Sequence, residues 1–204
     1  MSFSFPPPRP RRDRKRGQTA LEFALVAPLV FFLLFGIIEF GLMTFDVGTS
    51  RFADSEAARA IAAGGDSFNL CQDVTGCTRL HAALSQCDAD CQALVAINNT
   101  ALGGTRLARV NYVEITKLDP TTGNPTATMN HYTTWSATGN DFSGSVHTTF
   151  SYAALARGVT AGSTDYVSVR INFTYVWLTK MFADIAPSPT LDAIYFIHLE
   201  PRRF

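Results

Sequence analysis

Residues 23–38 carry no charged side chain at all, and Pro28 is the one strong helix breaker among them. Widening the window to 20–45 admits only two carboxylates, Glu22 and Glu39. A helix needs about 20 mainly apolar residues to cross a bilayer core of about 30 Å, so this run spans with some tilt. The missing polar face excludes an amphipathic surface helix and argues against the core helix of a soluble protein. A cleaved secretory signal is excluded as well, because the apolar run is too long and no A-x-A-like site follows it. So is a twin-arginine signal, since the paired arginines of "RRDRKR" are followed by further charge.

Cysteine is scarce. The chain has four, Cys71, Cys77, Cys87 and Cys91, all in one short stretch. None shows the tight C-x-x-C spacing of a zinc site, so disulfides are the expectation and a metal site is not. Three pairings exist; the nested one, Cys77 with Cys87 inside Cys71 with Cys91, would staple a helical hairpin. Cys87 and Cys91 lie one turn apart on a regular helix and are awkward partners for each other. His81, His131, His147 and His198 are scattered, and no phosphate-binding glycine loop occurs. "GGDSF" at 64–68 is similar to the Gly-Asp-Ser of a lipase family, but no late Asp-x-x-His exists to activate the serine. Asp192 and His198 stand six apart on an expected strand, too far for that pair. No catalytic residue, metal or cofactor is therefore expected.

What the sequence does have begins with charge. Arg9, Arg11, Arg12, Arg14, Lys15 and Arg16 precede the apolar run, opposed only by Asp13. By the positive-inside rule, six cations there hold that end in the cytoplasm. A short basic tail against a membrane helix is a topology signal rather than a nucleic-acid site. Everything past residue 45 is expected to be exported, where the environment keeps disulfides oxidised.

The proline-rich residues 1–10 have no means of burying a core. The apolar helix is expected to continue through the alanine-rich stretch to a glycine stop at Gly64-Gly65. Read unbroken, 19–63 spans roughly 68 Å, with a bend at Pro28 and a weak point at Gly48. Leu80, Leu84, Cys87, Cys91 and Leu94 recur at spacings of four and three, one stripe of a helix over 78–97, with Asp88 or Asp90 able to cap a fresh turn. Residues 107–117 read as a strand ended by Asp119-Pro120, and the Thr-, Ser-, Gly- and Asn-rich 121–145 reads as loop. A short strand follows at 146–152. Between 167 and 177, apolar Val167, Val169, Ile171, Phe173, Tyr175 and Trp177 alternate with polar residues, which predicts one buried and one wet face. A last strand, 191–199, should pair antiparallel with it and lay its apolar side on the helices.

Glu22 needs a compensating partner, because an ionised carboxylate in hydrocarbon costs roughly 2.5–3.5 kcal/mol even on lenient scales. It stands five residues after Gly17, with a basic run before and an apolar run after. That arrangement resembles the processing site of type IV prepilins. The resemblance implies cleavage after Gly17, which frees the amine of Gln18 to pair with the Glu22 carboxylate of a neighbouring subunit. Glu39 falls roughly 28 Å along the helix from Ala20, at the far interface, where a carboxylate is cheap.

The segment "GQTALEFALVAPLVFFLLFGIIEFG" resembles the opening of the TadE-like family, pseudopilins of the tight-adherence (Tad, or Flp pilus) secretion system. The matching features are "ALEFALVAP" with Pro28 and "FGIIEFG" with Glu39; "SEAARAIAAGG", "DYVSVRINFTY" and the closing "LEP" fit at the level of pattern. Phe23 stands where related major pilins carry tyrosine. The resemblance implies a minor pilin-like subunit, cut by a prepilin peptidase. It would work with other pilins and the Tad machinery in building pili for adhesion and biofilm formation.

The expected architecture is α+β: a basic leader at 1–17, a transmembrane helix at 18–45, and an exported domain at 46–204. That domain is helical over 46–100 and β-rich over 105–204, with a small antiparallel sheet. The expected location is the inner membrane, single-pass with the N-terminus cytoplasmic, in or at the base of a pilus. The alternative is an uncleaved signal-anchored protein with a periplasmic binding or sensing domain.

Overall fold

The computed structural model describes residues 14–66, 89–133 and 146–201. The chain divides into two compact units, Met1–Phe40 and Gly41–Phe204. One helix, α1 (Arg14–Gly64), contributes to both. It runs unbroken through Pro28 and through Gly48, the expected weak point. It also starts five residues earlier than the apolar pattern foretold, so its first turn includes the last basic residues.

In the second unit α1 presents a buried stripe of Asp46, Ser50, Ala53, Asp54, Ala57, Ala58, Ile61 and Ala62. These positions recur at helical spacing, and most of the side chains are small, so the backbone can approach its neighbours closely. The helix stops as expected. Gly65 adopts φ +53° and its N–H bonds back to the Ile61 carbonyl at 2.8 Å. A Cβ there would sit 3.0 Å from a Val159 methyl, so both the conformation and the space favour glycine.

Helix α2 (Ala89–Asn99) follows, then the short α3 (Ala101–Gly104). Cys91 and Leu94, two members of the predicted stripe, are fully buried in α2 together with Ile97. The rest of that stripe, Leu80, Leu84 and Cys87, lies outside the described residues.

Among the described residues, seven strands complete the unit. β1 (Ala108–Leu118), β2 (Pro125–Thr133), β3 (Val146–Phe150), β6 (Tyr166–Tyr175) and β7 (Thr190–His198) form one antiparallel sheet in the order β3-β2-β1-β6-β7. The small ribbon of β4 (Val159–Thr160) and β5 (Ser163–Thr164) stands apart, and a helical segment α4 (Lys180–Ile185) interrupts the β6–β7 connection.

The region 121–145, expected to be loop, is corrected by β2. Its Thr-rich composition hides β-branched residues that pair with β1 from Tyr112↔Thr133 to Leu118↔Pro125. The turn between them is the one the sequence marks: Asp119 accepts backbone N–H bonds from Thr121 and Thr122 at 2.7 and 2.9 Å. Residues 134–145 lie outside the described residues.

β6 has the alternation the sequence predicts. Val167, Val169, Ile171, Phe173 and Tyr175 are buried, and the first four, each burial worth about 1.5–3 kcal/mol, join Ala53, Ala57, Ile61, Leu94 and Ile97 in one core. The opposite face is less wet than expected. Ser168 and Asn172 are buried there, while Arg170 and Asp192 make a bidentate pair at 3.0 Å. Trp177 falls beyond the strand, since β6 ends at Tyr175.

Candidate functional site

The processing motif sits at the start of α1. Gly17 and Gln18 lie within the helix, and the Gln18 side-chain amide donates to Glu22 Oε1 at 3.3 Å across one turn. Glu22 is solvent-exposed in this chain. Around and beyond it the helix shows large apolar side chains on every side: Leu21, Phe23, Leu25, Leu29 and Ile37 are all exposed. Within the helix, the residues from Gln18 on are long and apolar enough to cross a membrane, with a mean hydropathy of 2.5 in the best window. Glu39 departs from this pattern: it is buried, at 1% exposure.

In the second unit, polar chemistry concentrates at a place the sequence did not announce. Asp90, in the first turn of α2, points its carboxylate into a fully buried cluster. Arg157 Nη2 donates to Asp90 Oδ1 at 2.5 Å; Asn130 Nδ2 and the Tyr132 hydroxyl donate to Oδ2 at 2.6 and 2.7 Å. The Arg157 guanidinium lies 4.7 Å from the centre of the Tyr152 ring, a cation–π contact. The Tyr152 hydroxyl continues the chain of bonds to Asp165, which also takes the Gly158 N–H and an ion pair from Lys117 at 2.8 Å. Burial works against the Asp165 charge, but the Lys117, Gly158 and Tyr152 donors outweigh it and hold this carboxyl below the usual range. The network ties α2 to β1, β2 and the β3–β6 connection. It is built to fix these elements, with each charge met by an opposite one.

No signal in the sequence pairs Asp90 with Arg157, which are 67 positions apart. The buried acids of α1 were more legible. Asp46 and Asp54 fall on the same helical face as Ser50, Ala57 and Ile61, and that periodicity alone puts them inside.

Of the four cysteines, Cys91 is the one within the described residues. Cys91 is buried and carries no free thiol, while Cys71, Cys77 and Cys87 lie outside the described residues. Asp192 and His198, set aside as a catalytic pair, have separate roles: Asp192 binds Arg170 and Asn172, and His198 stacks on Tyr166 at 4.3 Å. Among the described residues no group of three or more His, Cys, Asp or Glu side chains converges as a metal site would.

Comparison with known families finds a likeness for the first helix. Residues 17–62 match the family model described as TadE-like protein. This segment is similar to the TadE-like family. The match opens at Gly17 and includes Gln18, Glu22, Pro28 and Glu39, and it ends within the buried stripe of α1. The matched segment thus takes in nearly all of α1 and none of the sheet. No curated protein and no solved structure matches the chain significantly.

Proposed function

We propose that this chain is a minor pilin-like subunit, a pseudopilin, of a Tad (Flp) pilus assembly and secretion system, serving pilus biogenesis and through it adhesion and biofilm formation. The observation that carries this reading is the TadE-like match, which begins at Gly17, with Glu22 exposed one turn after Gln18. In this reading a prepilin peptidase cuts between Gly17 and Gln18. The scissile bond lies in the first turn of a helix, so that turn must unwind, and glycine, which is intrinsically poor in a helix, lowers the cost.

Cleavage creates an amine at Gln18 that matches the Glu22 carboxylate of an adjacent subunit, so the charge left in the bilayer is compensated as subunits assemble. Residues 18–45 form the single membrane span, oriented by the basic leader in the inner membrane, and Pro28 is the site of a bend in it. The domain beyond is exported, and there the four cysteines form the nested pairs Cys71–Cys91 and Cys77–Cys87. The partners are the bilayer, the peptidase, other pilins and the Tad machinery, and the role is structural rather than catalytic.

Mass spectrometry of the mature protein tests the reading. Loss of residues 1–17 is the expected result; an intact N-terminus supports instead an uncleaved anchor carrying a periplasmic binding or sensing domain. In a host that makes such pili, Glu22→Ala should leave processing intact and abolish or sharply reduce piliation. Wild-type piliation in that variant would remove the role given to the carboxylate.

A further inference from the structure

At one end of the sheet the second unit holds a cavity of about 720 Å³, a volume in the range of small-molecule sites. It lies between the end of β1, the β4–β5 ribbon, the start of β6 and the end of β7. The processing motif on α1 has no part in it. Its walls are fixed before any ligand arrives. The Asp165 N–H bonds to the Gly158 carbonyl at 2.9 Å, and the Asp165 carbonyl takes the Leu199 N–H at 3.0 Å, so the ribbon is tied to the chain leaving β7. A Cβ on Gly158 would fall 2.4 Å from the Ser163 carbonyl oxygen, so only glycine lets the ribbon close this tightly. A preformed wall spares a ligand the cost of ordering it.

The lining chemistry points to the class of ligand. Lys117 Nζ meets Asp165 Oδ1 at 2.8 Å, while Asp165 Oδ2 takes the Tyr152 hydroxyl and the Gly158 N–H, both at 2.9 Å. The carboxylate is fully engaged, whereas an ammonium has three donors and the Lys117 side chain is still 36% exposed. The two charges cancel. An anion would have to compete with Asp165 for Lys117, and a cation with Lys117 for a carboxylate already satisfied. Ser163 and Thr164 add hydroxyls that both donate and accept, and Thr164 shares a hydrogen bond with His198 Nε2. Beside these polar groups Tyr166, 45% exposed, stacks on His198 with ring centroids 4.3 Å apart. The face of an aromatic ring is electron-rich and attracts C–H groups that carry partial positive charge. A neutral ligand with a hydroxyl rim and an apolar C–H face fits this set. A pyranose ring with equatorial hydroxyls has both features.

We propose that the cavity walled by Lys117, Ser163, Thr164, Asp165, Tyr166 and His198 is a saccharide-binding site. It takes a neutral, β-linked pyranose whose hydroxyls bond to Lys117, Ser163 and Thr164 and whose C–H face packs on Tyr166. Every wall residue belongs to the second unit, so the site is independent of the reading of residues 18–45 as a membrane span.

The test uses the full chain in dodecylphosphocholine micelles, a detergent without a sugar headgroup, and saturation-transfer NMR with cellotriose and chitotriose as probes. Sorbitol, which has hydroxyls but no ring face, and inorganic phosphate serve as controls. Saturation should pass from the protein to the ring C–H protons of at least one trisaccharide and not to sorbitol. Tyr166→Ala should weaken that binding about tenfold, the order expected for loss of an aromatic contact, and Tyr166→Phe should leave it nearly unchanged. Ser163→Ala and Lys117→Met should each weaken it severalfold. Should Lys117→Met fail to fold once Asp165 loses its partner, the variants at the exposed Tyr166 and Ser163 decide the matter. No transfer to either trisaccharide at millimolar concentration overturns the proposal. So does equal transfer to sorbitol, binding of phosphate alone, or trisaccharide binding that Tyr166→Ala leaves intact.

Discussion

Asp54 illustrates how a single side chain can set a pH dependence for the whole second unit. It is buried on the inner stripe of α1, and its Oδ1 meets no hydrogen-bond donor among the described residues. Burial alone pushes its carboxyl up from an ordinary 3.8 to about 8. Between those two values the native chain holds a proton that the unfolded chain has released. Stability therefore falls as pH rises through that window, by at most about 1.4 kcal/mol per unit, and the loss is complete once pH exceeds the folded value. Carboxylates held low have the opposite sign. Asp192, lowered by its Arg170 hydrogen bonds, contributes stability that is present above the ordinary carboxylate range and lost as pH falls through its folded value. The two limbs lie on opposite sides of mild acidity and can be separated. Asp54→Asn keeps the side-chain shape and abolishes the titration. Denaturant unfolding of the full chain in micelles should show stability declining from about pH 5 to pH 8 in the wild type and a much flatter profile in the variant. The slope is the readout, and equal slopes would show that Asp54 reaches water.

At the scale of elements, the Asp90–Arg157 pair joins α2 to the β3–β6 connection, beside the bonds that Asn130 and Tyr132 of β2 make to the same carboxylate. Both side chains are fully buried, so removing either leaves the other a buried charge without its counter-ion. Breaking such a pair by removing one partner costs about 3–5 kcal/mol, while replacing both with apolar groups of similar volume can be nearly neutral. Asp90→Ala and Arg157→Met alone should each therefore destabilise by that amount, and the double variant by clearly less than their sum. Thermal or denaturant unfolding of the three chains measures the coupling; simple additivity would mean that the ion pair is not the joint. This joint was invisible in the sequence, because nothing local in "DADC" or "ARGV" indicates a partner far along the chain. The strands themselves were legible for the reason the joint was not. β6 and β1 alternate with a period of two, a signal contained in ten or so neighbouring residues, and the glycine stop of α1 is a signal of one or two. β2 was missed because its burial comes from pairing with β1, and Thr126, Thr128 and Met129 make no clear alternation on their own. Of the candidate site, the Gly17, Gln18 and Glu22 motif and Pro28 were readable, since spacing along one helix is local. The cavity beside the β4–β5 ribbon was not, because its wall residues, from Lys117 to His198, meet only in the folded chain.

For the whole molecule, the proposed reading turns on which side of the membrane receives the domain, and in that reading the residues before the span set it. Six cations at 9–16 face a single acid, whereas the chain after the span has more acids than bases. The cost of moving a leader with that charge across the bilayer far exceeds the cost of moving a mixed, mildly acidic domain that is translocated unfolded. The nearest five, Arg11, Arg12, Arg14, Lys15 and Arg16, act most strongly because they abut the hydrocarbon. Replacing them all by glutamine should therefore leave membrane insertion intact, since the apolar run is untouched, but should scramble orientation. Protease added to spheroplasts is expected to digest the sheet-bearing unit of the wild-type protein almost completely and to spare a substantial fraction in the variant. The same substitution also separates orientation from processing. Gly17, Gln18 and Glu22 are unchanged, so correctly oriented variant chains should still be shortened if the peptidase reads the glycine and the helix that follows, and should stay full-length if it reads the charges. Full protection of the wild-type domain from external protease would place that domain in the cytoplasm. The disulfides expected there, and the pilus role with them, would then lose their physical basis.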